Sequence, residues 1–571
     1  MRTRESGDFL QVRAIAGSHV VTLAWDFLAG TEDKRKGLLG FAIERAELDD
    51  AGEVVEKYWL RGVKRFRFKD EGLPPGTPVP TPERPIQSFQ WADYTVKPGT
   101  GYVYRVVPTF GKPKLLSLAE HLSTQVAVRC EREIGRDPAT AGDSVVRHDI
   151  WFNRGVAGSQ AYARKFGKKK PDQTQPLSEQ MVWLSRGLFE ALVGFIETAS
   201  GADAADYQLR AILYEFKYAP VGEAFLRAKE AGADVDIRYE AKSYKEENEK
   251  MIDAVGIGDI CSPQKSRTGI RHNKFIVLVH QGTPVAVWTG STNISPGGIF
   301  GHSNVGHAIW DQDIAQMFLD YWEALADPDV KPAALRASCQ AVTPTPADVQ
   351  PPKVVTVLFS PRDPVDPGTS SPTLQWYADL LASAKSIACM TFAFNFDRVF
   401  AKAVEGDTDA LTYLVFDKAP DDLQETQIRR NKNAVIAVGS KLEQGDLENF
   451  VGEALTGFNR NRYIHDKFFL VDPLSDDPIV VTGTANFSEP SQETNDENMV
   501  VIRGDTRIAD IYFGEFMRVF DHHYVRYIVA KLKLEGVQDP DAGYLKVTTG
   551  EWLDGHLKPG PKARRREAYM R

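Results

Sequence analysis

Apolar and polar positions alternate with a period of two along the first 131 residues of this 571-residue chain. The segments FLQVRAI, HVVTLAWDF, GFAIERAEL, YWLRG, SFQWADYTV, GYVYRVVPTF and LSTQVAVRC carry the alternation. Turn residues separate them at short intervals, which predicts an all-β sandwich over 1–131. After residue 176 the period changes. PLSEQMVWLSRGLFEALVGFIETA has its apolar residues at helical spacing, AILYEF reads as a strand, PVGEAFLRAKEAG as a helix closed by Gly, and DVDIRYEA, KFIVLV and VAVWTG as strands. The order returns after 353: SPTLQWYADLLASA helical, IACMTFAF a strand, DRVFAKAVEG a helix, ALTYLVFD a strand, then KFFLVD and IVVTG. This predicts an internal duplication, a pseudo-twofold pair of α/β halves over 176–340 and 353–533. The Pro-rich stretch QAVTPTPADVQPP makes 341–352 the linker between them. Residues 132–175 read as a linker ending in a basic loop, and 534–571 as a basic C-terminal tail. FDHHYVRY is placed on a helix packing the second half.

Composition narrows the class without choosing a function. The chain is 42% hydrophobic and 26% charged, as in ordinary globular protein, and its length suits several domains. A net charge of −9 argues against a surface that holds polyanions everywhere, yet leaves room for a local basic cleft. Cys130, Cys261, Cys339 and Cys389 lie far apart and form no C-x-x-C pair, so free thiols in a reducing compartment are expected. The N-terminal MRTRESGDFLQV has no apolar leader, and no run reaches the ~18–20 residues of a membrane span. A cytoplasmic protein is the expectation, with export by a non-classical route left open. Two basic stretches are candidate backbone contacts for a polyanion: ARKFGKKKPDQ, with Lys168 and Lys169, and the tail HLKPGPKARRREAYMR.

The candidate chemistry lies in a doubled motif. RHNKFIVL is followed by WTGSTNIS, and IHDKFFLVD by VTGTANFS. In each copy a His precedes a Lys by two residues: His272 with Lys274, and His465 with Lys467. A Gly follows eighteen residues past each His and an Asn twenty-one: Gly290 and Asn293, then Gly483 and Asn486. On a strand, residues i and i+2 share a face, so each copy presents imidazole and ammonium together. Imidazole can attack phosphorus or protonate a leaving oxygen. Ammonium and amide groups can neutralise and hydrogen-bond the non-bridging oxygens of a phosphodiester. Two such half-sites facing each other complete one site within one chain. Ser291, Thr484 and Ser488 flank the glycine turns as candidate substrate hydroxyls. No Cys, Asp or His spacing forms a metal-ligand set, and no cofactor is called for.

These residues resemble the phospholipase D superfamily, whose signature is H-x-K, an Asp, and G-S or G-x-N, twice per chain. The resemblance covers about 176–530. It implies hydrolysis of a phosphodiester through a covalent phosphohistidine. The second copy has the family's Asp as Asp472; the first has Val279 there. The two motifs are 193 residues apart, and at that offset Glu497 in NDENMVVI matches Asn304 in HSNVGHAI. In the superfamily this position backs the catalytic His. Glu497 is therefore expected behind His465, making it the proton donor, and Asn304 behind His272, the nucleophile. His302 and His307 are expected to be structural. In the N-terminal region, Trp25 in the second strand and Tyr102 after a Pro-Gly turn resemble a fibronectin type III domain, a module that binds or spaces other domains. GTANFSEPSQETNDENMVVI is similar to bacterial endonuclease-type members, and the amide-against-Glu asymmetry to tyrosyl-DNA phosphodiesterases. A nuclease acting on DNA or RNA is the favoured reading. A phospholipase D acting on lipid head groups, as an effector or toxin, is the alternative. A degenerate phosphate-binding scaffold is the third, and the intact His–Lys pairs argue against it. The loop before His465, residues 418–464, is where substrate choice is expected to lie.

Overall fold

The structure is a computed structural model that describes residues 1–67, 73–74, 76–135, 146–167, 169–265, 268–352, 354–366, 368–394, 397–406, 408–440, 463–534 and 544–571. Two antiparallel sheets form the N-terminal part. One has the order Arg2–Ser6, Leu10–Ala16, Val21–Phe27, Gln90–Asp93. The other runs Leu115–Leu118, Gly101–Lys112, Leu38–Leu48, Val54–Trp59, with Thr124–Arg129 also paired to Gly101–Lys112. Thr124–Arg129 buries every second residue, the direct outcome of its alternation. Trp25 is fully buried with its ring centroid 5.3 Å from Phe41, and the Tyr102 hydroxyl accepts the Lys97 N–H at 3.0 Å.

Two seven-stranded mixed sheets follow, and they share one strand order. The first is Arg147–Phe152, Val305–Trp310, Thr283–Gly290, Lys274–His280, Tyr207–Leu213, Asp234–Glu240, Cys261–Gln264. The second is Thr356–Ser360, Glu497–Arg503, Ile479–Gly483, Phe468–Val471, Ile387–Phe392, Leu411–Phe416, Ala434–Val438. The central strands are apolar without alternation because both faces are covered; every residue of Ile387–Phe392 and of Leu411–Phe416 is buried. Each half lends a helix to the other. Tyr321 on helix Gln312–Ala326 stacks on Phe359 at 4.2 Å, and Tyr512 on helix Thr506–Leu534 meets Phe152 at 5.0 Å. One continuous apolar core, running through Phe275, Val277, Phe468 and Leu470, results.

Three expectations change. Residues 132–175 are more than a linker: Arg147–Phe152 is the edge strand of the first sheet, pairing antiparallel with Val305–Trp310, and Ser159–Phe166 is a helix. The segment was too short and too polar at its flanks to stand out as a strand. The helix expected from 176 is two, Glu179–Ser185 and Leu188–Glu197. Arg186 and Gly187 between them are both left-handed, with φ of 51° and 90°, and the break aims the buried Arg186 guanidinium at Glu515, 2.6 Å away. The tail, finally, contains helices Thr549–Leu557 and Pro561–Met570, which bury Trp552, Leu553, Tyr569 and Met570. Its arginines masked the apolar positions between them.

Candidate active site

The two His–Lys pairs sit where the halves exchange backbone. The His272 N–H donates to the Asp496 carbonyl at 3.1 Å, and the His465 N–H to the Ser303 carbonyl at 3.2 Å. Each motif therefore runs beside the segment that carries the other motif's supporting residue. The side chains follow. His272 Nδ1 lies 2.8 Å from Glu497 Oε2, and His465 Nδ1 lies 2.9 Å from Asn304 Oδ1. The expected pairing of Glu497 with His465 and of Asn304 with His272 is corrected here: the supports cross between halves. The constant offset identifies equivalent positions, but the backbone bridges of Arg271 with Asp496 and of Ser303 with Ile464 decide which imidazole each one reaches.

Both supports select the same tautomer. Glu497, fully buried, can only accept, so His272 carries its proton on Nδ1 and leaves the Nε2 lone pair for chemistry. Asn304 donates its amide to the Gly298 carbonyl at 2.8 Å, while its Oδ1 accepts from Ser291 Oγ at 2.8 Å and faces His465. That oxygen takes the Nδ1 proton of His465. Burial pushes the His272 pKa down to about 4, with Lys274 and Lys467 adding to it and Glu497 opposing. Burial also holds His465 well below the usual histidine range, reinforced by Lys467, His302, Lys274 and His272. Both imidazoles are neutral in the free protein near pH 7.

The ammonium groups are anchored alike. Lys467 Nζ donates to the His465 carbonyl at 2.7 Å, and Lys274 Nζ to the His272 carbonyl. Lys274 lies 4.9 Å from the centre of the Tyr214 ring and Lys467 5.9 Å from that of Phe394. Burial lowers Lys274 to about 8, against the pull of Glu497 and Glu215. The asparagines are unlike. Asn293 Nδ2 donates to Glu215 Oε1 at 2.8 Å, whereas Asn486 lines an open cavity of about 400 Å3 with Phe394, Asp417, Lys418, Ser488 and Asn495.

The candidate hydroxyls divide. Ser488 borders that cavity, bonded to Ser491 at 3.1 Å. Ser291 and Thr484 are fully buried and turned into the protein: Ser291 Oγ accepts the Val305 N–H at 3.1 Å, and Thr484 Oγ1 accepts the Asn498 N–H at 3.0 Å. They latch the strands carrying Asn304 and Glu497, which corrects their reading as substrate contacts. Lys168, and residues 441–462 of the loop before His465, lie outside the described residues. Lys169 is exposed; its carbonyl accepts the Tyr162 hydroxyl at 2.6 Å. Asp472 takes the backbone N–H groups of Lys385, Ser386 and Ile387, so it organises a strand entry, while Val279 is core. His307 is buried between His148 and Tyr512. Glu215, Tyr214, Phe394 and Asp417, which accepts the Tyr463 and Ile464 N–H groups just before His465, carry no motif signal. Only their place past the ends of the central strands marks them. Among the described residues no three His, Cys, Asp or Glu side chains are grouped to hold a metal ion.

This arrangement defines a phospholipase D-like domain in the second half. The family model that matches residues 380–520, spanning His465, Lys467, Asn486 and Glu497, is described as cardiolipin synthase, PLD-like domain. No curated protein sequence matches the chain. Solved structures similar to it include phosphatidylserine synthase from Haemophilus influenzae Rd KW20, at 13% identity over 62% of this chain and 91% of that one, with a TM-score of 0.41. Yeast tyrosyl-DNA phosphodiesterase is 12% identical over 52% of this chain and 82% of its own, with a TM-score of 0.31. The phospholipase D family member Nuc from Salmonella typhimurium is 24% identical over 23% and 84%, with a TM-score of 0.20. No helix among the described residues is long and apolar enough to cross a membrane.

Proposed function

We propose that the protein hydrolyses phosphodiesters through a phosphohistidine on His272, with His465 as general acid and then base, and that its substrate is a polynucleotide. The unlike supports of the two imidazoles carry this reading. His272 Nε2 attacks phosphorus, and the positive charge that develops on the ring is met by Glu497 at Nδ1. His465, backed by a neutral amide, gives a proton from Nε2 to the leaving oxygen. It takes up that proton when the anionic phosphate arrives, because an opposite charge nearby favours imidazolium. Water then gives a proton to His465 and its oxygen to phosphorus, and His272 leaves. Lys274, Lys467, Asn293 and Asn486 hold the non-bridging oxygens.

The test is to trap the intermediate. With a radiolabelled nitrophenyl phosphodiester, whose leaving group needs no acid, His465→Ala should accumulate label on His272. His272→Ala should form none and lose roughly 10^4-fold in turnover. Label found on His465 would reverse the roles.

The polynucleotide reading rests on exposed Lys169 and Lys170, whose segment is tied at Gln173, its carbonyl accepting at 3.3 Å the hydroxyl of Tyr218, the residue after Lys217. A second reading, a phospholipid head group, is supported by Leu177 and Val182 in the same segment, 74% and 42% exposed, and by the description of the matching family. Single-stranded DNA, duplex DNA, RNA and phosphatidylcholine vesicles, each given to the wild type and to His465→Ala, separate the two. Shortened polynucleotide supports the first reading, and released choline replaces it with the second.

A further inference from the structure

The two half-sites differ most at one position that belongs to no motif. Two residues past strand Tyr207–Leu213, which pairs with the first His–Lys strand, stands Glu215. Two residues past the equivalent strand Ile387–Phe392 stands Phe394. Glu215 Oε1 accepts the Asn293 amide at 2.8 Å, and Oε2 lies 2.9 Å from Lys217 Nζ. Its side chain is 13% exposed. Burial opposes its ionisation, but Lys217, Ser295 and Lys274 outweigh burial and keep it a carboxylate. Asn486 donates to no carboxylate among the described residues and borders the open cavity with Phe394, Asp417 and Lys418.

The first half-site thus holds a negative charge against the amide that should bind a phosphoryl oxygen. With both imidazoles neutral, the ammonium groups of Lys217, Lys274, Lys418 and Lys467 stand against the carboxylates of Glu215, Asp417 and Glu497, which leaves one net positive charge among these groups. A phosphodiester carries one negative charge. A phosphomonoester carries nearly two above about pH 6. In a dry site the unmatched second charge is costly, because Coulomb energies there are several times those in water.

We infer that Glu215 is a specificity-determining residue that admits the singly charged phosphodiester and turns away the doubly charged phosphomonoester. This rests on the reading of the site as a phosphodiesterase. It supplies a reason for product to leave: hydrolysis creates a monoester whose second ionisation sets it against Glu215.

Binding of two small probes tests the inference without catalysis. Dimethyl phosphate and methyl phosphate are titrated calorimetrically at about pH 7, where the first carries one charge and the second nearly two, and Lys274 keeps its proton. The wild type should prefer dimethyl phosphate. Glu215→Gln should tighten methyl phosphate at least about tenfold and dimethyl phosphate much less. Glu215→Asp should restore the preference. Lys217→Met, which removes a positive charge from the same pair, should weaken methyl phosphate more than dimethyl phosphate, and it keeps the test open if Glu215→Gln does not fold. Equal changes for both probes in Glu215→Gln and Lys217→Met would reduce Glu215 to a positioning role and overturn the inference. A protein that shows the expected discrimination yet cleaves no phosphodiester would instead overturn the reading on which it rests.

Discussion

A single hydrogen-bond acceptor separates the two catalytic candidates. His272 donates to a carboxylate and His465 to an amide, yet both rings are buried beside ammonium groups and are held neutral. A pH profile follows, with its sign set by what each group must be. His272 must be neutral, which holds above about pH 4. His465 must bind a proton, and its folded pKa lies below 6.5, so the productive free form declines as pH rises. Lys274 must be charged and loses its proton near pH 8. The expected kcat/KM is therefore lost below about pH 4, declines toward alkaline pH as His465 gives up its proton, and falls more steeply above about pH 8. Lys274→Arg, with a guanidinium that stays charged, should remove the last, steeper fall. The measurement is kcat/KM against pH for both proteins; an unchanged alkaline limb in the variant would show that Lys274 is not its source.

At the scale of elements, glycine turns keep neighbouring strands close enough to deliver the supports. A Cβ on Gly483 would sit 2.3 Å from the Asn498 carbonyl oxygen and 2.8 Å from Met499 Cα. Gly483→Ala must therefore push strand Ile479–Gly483 away from strand Glu497–Arg503, whose first residue holds His272. Such overpacking costs about 1–3 kcal/mol. The larger consequence falls on the opposite half-site. We expect Gly483→Ala to lower phosphohistidine formation at His272 by about 100-fold, since a misplacement of about 1 Å near a reacting group has that effect. Gly258→Ala, whose Cβ would meet nothing within 4 Å, serves as the control and should leave both stability and turnover near wild type. Much at this scale was legible in the chain. The apolar runs predicted the central strands, and the repeat predicted a common order. The break at Arg186–Gly187 was not, because helical periodicity continues through it and only the distant partner Glu515 explains the turn.

At the scale of the whole molecule, Arg2 and the stretch from Trp552 to Met570 fasten the N-terminal sheets to the two α/β halves. Arg2 pairs with Asp510 at 2.9 Å and donates to the carbonyls of Leu474 and Ser475. Trp552 inserts among Phe41, Phe89 and the backbone of Leu38, donating Nε1 to the Leu38 carbonyl at 3.1 Å. Tyr569 and Met570, on the next helix, join the core shared by both halves. Trp552→Ala removes a large buried ring at this seam, a change that costs about 3–5 kcal/mol. We expect a lower unfolding midpoint by calorimetry with kcat unchanged at temperatures where the variant is folded. A fall in kcat without loss of stability would instead tie the N-terminal sheets to turnover.

The candidate chemistry lies in short-range pattern: paired His–Lys motifs at one spacing, glycines and asparagines at fixed distances, and strands of period two or of unbroken apolar residues. Such features depend on neighbours along the chain, so the chain alone determined them. Which support meets which imidazole was decided by the backbone bridges between the halves, Arg271 with Asp496 and Ser303 with Ile464, and a constant offset in sequence carries no record of them. The inward turn of Ser291 and Thr484, the carboxylate of Glu215 against Asn293, and the folding of the C-terminal stretch onto the N-terminal sheets were decided in the same way. Each depends on contacts between residues far apart in the chain, and those exist only once the sheets have packed.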